Sequence, residues 1–180
     1  PLTAIKGFAE TIGPGLKGED KKYLDIIKRH TERLINIVED LLVISRAESG
    51  AETQLSEPVV LNTVIDNVQA IFEQKAAEKK VTIETFAPEE VTVKGDAFKL
   101  EQALINLVDN ALKYTEKGSV KISLAKEGEK AIIKVADTGI GIPAEHIGRV
   151  FERFYVVDKS RSRKLGGTGL GLAIVKRIVE

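Results

Sequence analysis

Seven residues, Tyr23, Ile27, His30, Leu34, Ile37, Leu41 and Ile44, recur at steps of four and three without a miss. A strand would scatter such a set over both of its faces. A helix brings it onto one line, the seam of a packed helix pair. Leu24, Ile35, Val38 and Leu42 flank the seam and widen the apolar face. Upstream, Leu2, Ile5, Ala9 and Ile12, with Phe8 beside them, describe a shorter helix that stops at Gly13-Pro14-Gly15, where both residue types break helices. Two helices with so broad a face cannot bury it alone. A dimer forming a four-helix bundle is the natural solution, and a hairpin packed on the rest of its own chain is the alternative.

Composition narrows the function classes. Lys plus Arg and Asp plus Glu number 27 each, so the formal net charge is zero, which argues against a nucleic-acid binder. Cysteine is absent, which excludes a disulfide scaffold, a thiol nucleophile and a thiolate zinc site. The histidines are two, His30 and His146, so any metal is expected on oxygen ligands. His30, on the seam, reads as a packed bundle residue, and His146 as solvent-facing. No apolar run reaches the roughly 20 residues needed to span a bilayer.

After residue 49 the periodicity lapses. The pattern predicts a hairpin domain over 1–49, a linker over 50–57 and an α/β sandwich over 58–180, an α+β chain overall. In the second domain Asn62 is expected to cap a helix carrying Val64, Ile65, Val68, Ile71 and Phe72. Val81–Phe86 and Val91–Val93 read as strands. Asp96 is expected to cap a helix from Ala97 to Tyr114, and Val120–Leu124 and Ala131–Val135 to pair across Glu127-Gly128. Pro143 suits the first turn of a short helix reaching Phe151, and Thr168 suits the cap of a final helix beginning at Leu170.

Three segments carry chemistry. Asn106, Asn110 and Lys113 share one face of a helix whose other side is apolar. Neutral amide oxygens there can ligate Mg²⁺ without adding negative charge beside a triphosphate. Asp137-Thr138-Gly139-Ile140-Gly141 comes directly after a strand, where a carboxylate can accept from the amine of adenine and the glycines let backbone approach the base. Gly166-Gly167-Thr168-Gly169-Leu170-Gly171 runs into an apolar helix and ends at N–H donors, an anion site in form. Just upstream, Lys159, Arg161, Arg163 and Lys164 suit a lid over a triphosphate. Each segment has a plain reading too: a solvated helix face, an ordinary turn, a mobile loop. By contrast, Gly13-Pro14-Gly15-Leu16-Lys17-Gly18 fits a dinucleotide fingerprint but comes after a helix, and reads as a turn.

In order and spacing these segments resemble the N, G1 and G2 boxes of sensor histidine kinases, with Phe151-Glu152-Arg153-Phe154-Tyr155 similar to the F box. The ATP-binding fold implied is the Bergerat type, shared with type II topoisomerases, a heat-shock chaperone family and mismatch-repair ATPases. Pro1-Leu2-Thr3-Ala4-Ile5-Lys6-Gly7 resembles the stretch just downstream of the acceptor histidine in the family's H box, and 157–163 resembles the phosphate-regulon type of sensor.

The resemblance implies ATP and Mg²⁺ as cofactors, with Asn106 and Asn110 as metal ligands and Asn110 the stronger. It implies catalytic roles for Asn106 and Lys113, and an ATP pocket of Asn110, Lys113, Tyr114, Asp137, Gly139, Gly141, Gly167, Thr168, Gly169, Leu170 and Gly171. It further implies a homodimer, a response regulator as partner, and a cytoplasmic portion of a membrane-anchored bacterial sensor, reaching the membrane only through upstream segments. The acceptor histidine is expected before Pro1, so the chain is expected to bind ATP without phosphorylating itself. Val156 stands where the family often has Arg, and a further hairpin is expected after Glu180. Two other functions fit the same fold: an ATP-hydrolysing machine, disfavoured because Asn106 stands where its general-base Glu belongs, and a nucleotide-sensing dimerisation module without transfer.

Overall fold

A computed structural model describes residues 2–12, 16–49, 57–158, 160, 162 and 166–180, with the side chains of 39 and 43–49 left aside. The Gly13-Pro14-Gly15 turn, most of the expected linker, the Lys159, Arg161, Arg163 and Lys164 cluster, and the side chain of Ile44 therefore lie outside the described set.

Helix α1 (Leu2–Ile12) packs on the long α2 (Gly18–Ser49), burying Ala9 and Thr31, with Lys6 and Glu32 paired at 3.6 Å. Little else of the apolar stripe is covered within one chain. Leu34 is 49% exposed and Phe8 69%.

The second unit begins with strand β1 (Glu57–Val60), which pairs antiparallel with β3 (Thr92–Gly95). Sequence periodicity did not find β1, because four residues are too few for an alternation to show. The strand expected at Val91–Val93 is displaced to 92–95 by this register. Between them lie helix α3 (Leu61–Lys79) and strand β2 (Val81–Phe86). The expected cap fails here: α3 starts at Leu61, and Asn62 does not cap it. Its side chain instead donates to the Glu89 carbonyl and accepts from the Val91 amide, both at 3.0 Å, clamping the chain between β2 and β3.

Helix α4 (Ala97–Tyr114) begins as expected, with the Asp96 carboxylate accepting from the amides of Phe98 and Lys99. Strands β4 (Gly118–Glu127) and β5 (Lys130–Asp137) form the expected hairpin, extended at both ends and turning at Gly128 with φ +62°. β2 joins β4 in parallel, so the sheet order is β2-β4-β5. Val120, Ile122 and Leu124 alternate inward along β4 and meet Ile65 and Val68 of α3 and Leu104, Val108 and Leu112 of α4. Two helices on one sheet face make the sandwich.

Two elements are corrected near the end. Pro143 precedes helix α5, which runs only from Ala144 to Ile147, and turns replace the rest of the expected helix to Phe151. Helix α6 starts at Gly171 and reaches Val179; Thr168 accepts from the Leu170 amide at 3.2 Å, ahead of the helix rather than capping it.

Candidate functional site

Helix α4 divides its circumference by chemistry. Ala103, Leu104, Val108, Ala111 and Leu112 are buried against α3 and the sheet, which turns Gln102, Asn106, Asp109, Asn110 and Lys113 toward a cavity of about 560 Å³. Asn106 donates to the Gln102 carbonyl at 3.0 Å, and its amide lies against Gly171, where a Cβ would come within 2.7 Å of its Oδ1. The glycine that opens α6 thus leaves room for Asn106. The Asn110 amide lines the cavity with no hydrogen-bond partner among the described residues.

At the end of β5 the Asp137 carboxylate accepts from the Gly139 amide at 2.8 Å, which shapes the turn. The Tyr114 carbonyl at the end of α4 accepts from Ile140, and a Cβ on Gly139 would sit 2.5 Å from that oxygen. Gly141 adopts φ +69°, left-handed backbone that glycine tolerates. The Asp137 turn is therefore packed directly on the C-terminus of α4.

The glycine segment closes the opposite side. The Gly167 amide donates to the Ser162 carbonyl, and the Phe154 amide to that of Gly169, both at 2.8 Å. A Cβ at Gly169 would meet the Phe154 backbone at 2.9 Å. Tyr155, next to it, lines the cavity and is held from both sides: the Arg149 guanidinium lies 4.3 Å from the ring centroid, and the hydroxyl bonds His146 Nδ1 at 2.6 Å. His146, expected to face solvent, is half-buried, because the turns after α5 fold Tyr155 back onto it. Thr168 donates to Asp40 of α2 at 2.9 Å, while Leu170 and Ile174 are fully buried beside Ile37. Asn36 and Asp40 thus complete the cavity from the helical hairpin.

Charge is distributed unevenly. Asp40, Asp109, Asp137 and Asp158 line the cavity, and Lys113 is the one cation among the described lining residues. Asp109 is doubly engaged, with Oδ1 2.5 Å from Lys75 of α3 and Oδ2 2.6 Å from Lys113. Burial would raise its carboxyl, but attraction and hydrogen bonding from Lys113, and then Lys75, hold it below its usual value. Beneath, Lys79 donates to the Leu112 carbonyl near the end of α4.

Every pocket residue implied by the resemblance lies around this one cavity, with Gly139 and Leu170 just behind its surface, while the expected lid cations Lys159, Arg161, Arg163 and Lys164 lie outside the described residues. Sequence reasoning missed Asp109, Asn36 and Asp40, and gave no site role to Tyr155, a residue of the F-box resemblance. Asp109 was visible one turn from Lys113, the i, i+4 spacing of an ion pair. Asp40 gave no local signal, since its partner lies 128 residues away.

Comparison with known proteins bears on the family and the fold. A family model described as histidine kinase-, DNA gyrase B- and HSP90-like ATPase matches residues 95–180, and one for the His Kinase A (phospho-acceptor) domain matches 1–50. The sensor histidine kinase WalK of Bacillus subtilis is 36% identical over 186 residues, all of this chain and 30% of WalK. The phosphate regulon sensor PhoR of Pseudomonas aeruginosa is 34% identical over 183 residues, 99% of this chain and 41% of PhoR. The chain thus spans well under half the length of these relatives. Among solved structures, full-length ShkA in complex with AMPPNP superposes with a TM-score of 0.77 at 30% identity, over 99% of this chain and 37% of ShkA. A complex of histidine kinase ThkA with response regulator TrrA gives 0.70 at 29%, over all of this chain and 50% of the other. The mycobacterial sensor histidine kinase MprB gives 0.60 at 32%, over 69% of this chain and 78% of that one. With a helical hairpin that matches the His Kinase A model joined to an ATPase-type sandwich whose amide, aspartate and glycine segments meet at one cavity, this chain belongs to the sensor histidine kinase family.

Proposed function

We propose that the cavity binds Mg·ATP, with adenine at the Asp137 end and the phosphates between Asn106, Asn110, Lys113 and Thr168, and that the chain is the catalytic core of a protein-histidine kinase. The observation that carries this reading is the convergence on one cavity of three segments that are far apart in sequence. Asp137 Oδ1 is committed to its own turn, leaving Oδ2 to accept from the adenine amine. The Asn110 amide, without a partner among the described residues, is free to turn its oxygen to a metal. Asn106 and Asn110 would hold Mg²⁺, which supplies the charge neutralisation that four lining carboxylates otherwise deny a triphosphate.

The chain's own part is positioning. A neutral acceptor imidazole attacks the γ-phosphorus with its unprotonated nitrogen. A P–N bond forms as the bond to the β,γ-bridging oxygen breaks, ADP leaves with that electron pair, and the ring's other proton passes to solvent. Water activation has no base on α4: Asp109, the one carboxylate of its cavity-lining stripe, is already engaged by two ammonium groups.

The expected division into 1–49, a linker over 50–57 and 58–180, with Glu57 at the linker's end taken into β1, dimerisation through the hairpin, relay to a response-regulator aspartate, and a cytoplasmic place below a membrane anchor complete the proposal. No described helix is long and apolar enough to cross a membrane.

Calorimetric titration of Mg·ATP tests the reading. Asp137→Asn puts a donor where adenine presents one, and is expected to lose about 1–3 kcal/mol of binding. Asn110→Ala is expected to make binding far less dependent on Mg²⁺. Unchanged affinity in Asp137→Asn would sink the assignment.

A further inference from the structure

Lys113 reaches the cavity on a long flexible stem, yet its ammonium has a fixed address. Asp109, one turn earlier on α4, holds it at 2.6 Å with Oδ2. The other oxygen, Oδ1, is taken by Lys75 at 2.5 Å, from α3. With each oxygen on a different lysine, the carboxylate cannot rotate without breaking a charged hydrogen bond. Lys75 is steadied in turn by the Phe72 ring, 5.5 Å from its ammonium, and Phe72 is buried in the core. Lys75 itself does not line the cavity, whereas Asp109 and Lys113 both do. A chain of charged contacts therefore runs from the α3 core face to the one described cation beside the proposed phosphates.

We propose that Asp109 is the positioning residue for Lys113, anchored by Lys75, so that the Lys113 ammonium is ordered before nucleotide arrives. The inference rests on the kinase reading above. An unrestrained lysine must surrender its rotamer freedom when it grips phosphate, and a prior ion pair has already removed that freedom. The arrangement has an electrostatic cost, since a carboxylate beside the phosphates opposes anion binding. Positioning and affinity should therefore separate on mutation, which a merely structural role would not produce.

The test is a double-mutant cycle on Mg·ATP affinity, by calorimetry, and on the transfer rate at saturating ATP to a separate hairpin bearing His-Glu-Leu-Arg-Thr before its proline. Asp109→Asn is expected to bind ATP as tightly as wild type or up to several-fold tighter, while transfer falls on the order of tenfold. Lys75→Met, outside the cavity, is expected to leave affinity unchanged and to lower the rate by a smaller factor. Both rate effects are expected to vanish in a Lys113→Met background. Lys75→Met carries the test if Asp109→Asn fails to fold, because its side chain is 42% exposed. Rate losses that persist in Lys113→Met, an unchanged rate in both variants, or affinity falling in step with rate would overturn the proposal. A wild-type chain that does not bind Mg·ATP would overturn the kinase reading itself, and this inference with it.

Discussion

Asp109 shows how one side chain can tie stability to pH. Its carboxyl titrates below the usual value of 3.8, despite burial, because Lys113 and Lys75 favour the charged form. A lowered folded-state pKa contributes stability that is fully present above the unfolded value and is lost as pH falls through the folded one. The chain is therefore expected to lose stability below about pH 4, where this carboxylate gains its proton. Asp109→Asn, which lacks that charge at every pH, should be less stable than wild type at pH 7. The gap should narrow as the pH is taken from 7 to a value below the usual carboxylate range. Urea denaturation at both pH values measures it, and a gap of constant size would mean that the ion pairs contribute nothing. The i, i+4 relation of Asp109 and Lys113 was readable in the sequence. Lys75 was not, because nothing local tells which residue of α3 will face that turn of α4.

Among the elements, α6 is placed by what its first residue lacks. Gly171 stands where a Cβ would approach Asn106 Oδ1 to 2.7 Å, while Ala173, Ile174 and Val175 bury the helix. Gly171→Ala should leave folding nearly intact, since alanine is the better helix former by up to about 1 kcal/mol and the atom it meets ends a movable side chain. It should still displace the Asn106 amide from the cavity. The expected outcome is a melting temperature at or above wild type together with weakened Mg·ATP binding. Thermal melts and calorimetry on one preparation would check both, and retained affinity would show that Asn106 is not needed where it stands. The glycines of this segment were legible as a loop running into a helix. That Gly171 makes way for Asn106 was not, because steric fit between elements leaves no periodicity.

On the scale of the whole molecule, the apolar stripe of α2 remains open. Tyr23, Ile27, Leu34 and Leu41 are all exposed in the single chain, as are Ile5, Phe8 and Ile12 of α1. A contiguous apolar face of this kind marks an interaction surface. A second copy, giving the four-helix bundle, is the proposed cover. Leu34→Asp would bury a charge in that seam, and removing an unpaired carboxylate from water costs several kcal/mol. Sedimentation at high micromolar concentration should show a dimer for wild type and monomers for the variant. A wild-type chain that stays monomeric would return the stripe to the intrachain alternative. That alternative already claims one position: Ile37 packs against the buried Leu170 and Ile174 of the α6 region.

The sequence alone determined what is periodic or local. The 23–27–30–34–37–41–44 seam demanded a helix because no other backbone aligns those steps. Asp96 announced the start of α4 because its carboxylate needs only the next few amides. The amide, aspartate and glycine segments were legible because each is a short run whose residue types serve one chemistry. Tertiary structure decided what depends on partners distant along the chain. It moved Asn62 from a helix cap to a clamp on Glu89 and Val91, brought His146 under Tyr155, and set Asp40 against Thr168 across 128 residues. A hydrogen bond or a packed ring is satisfied by whatever the fold delivers within about 3–4 Å, and sequence separation carries no record of that distance.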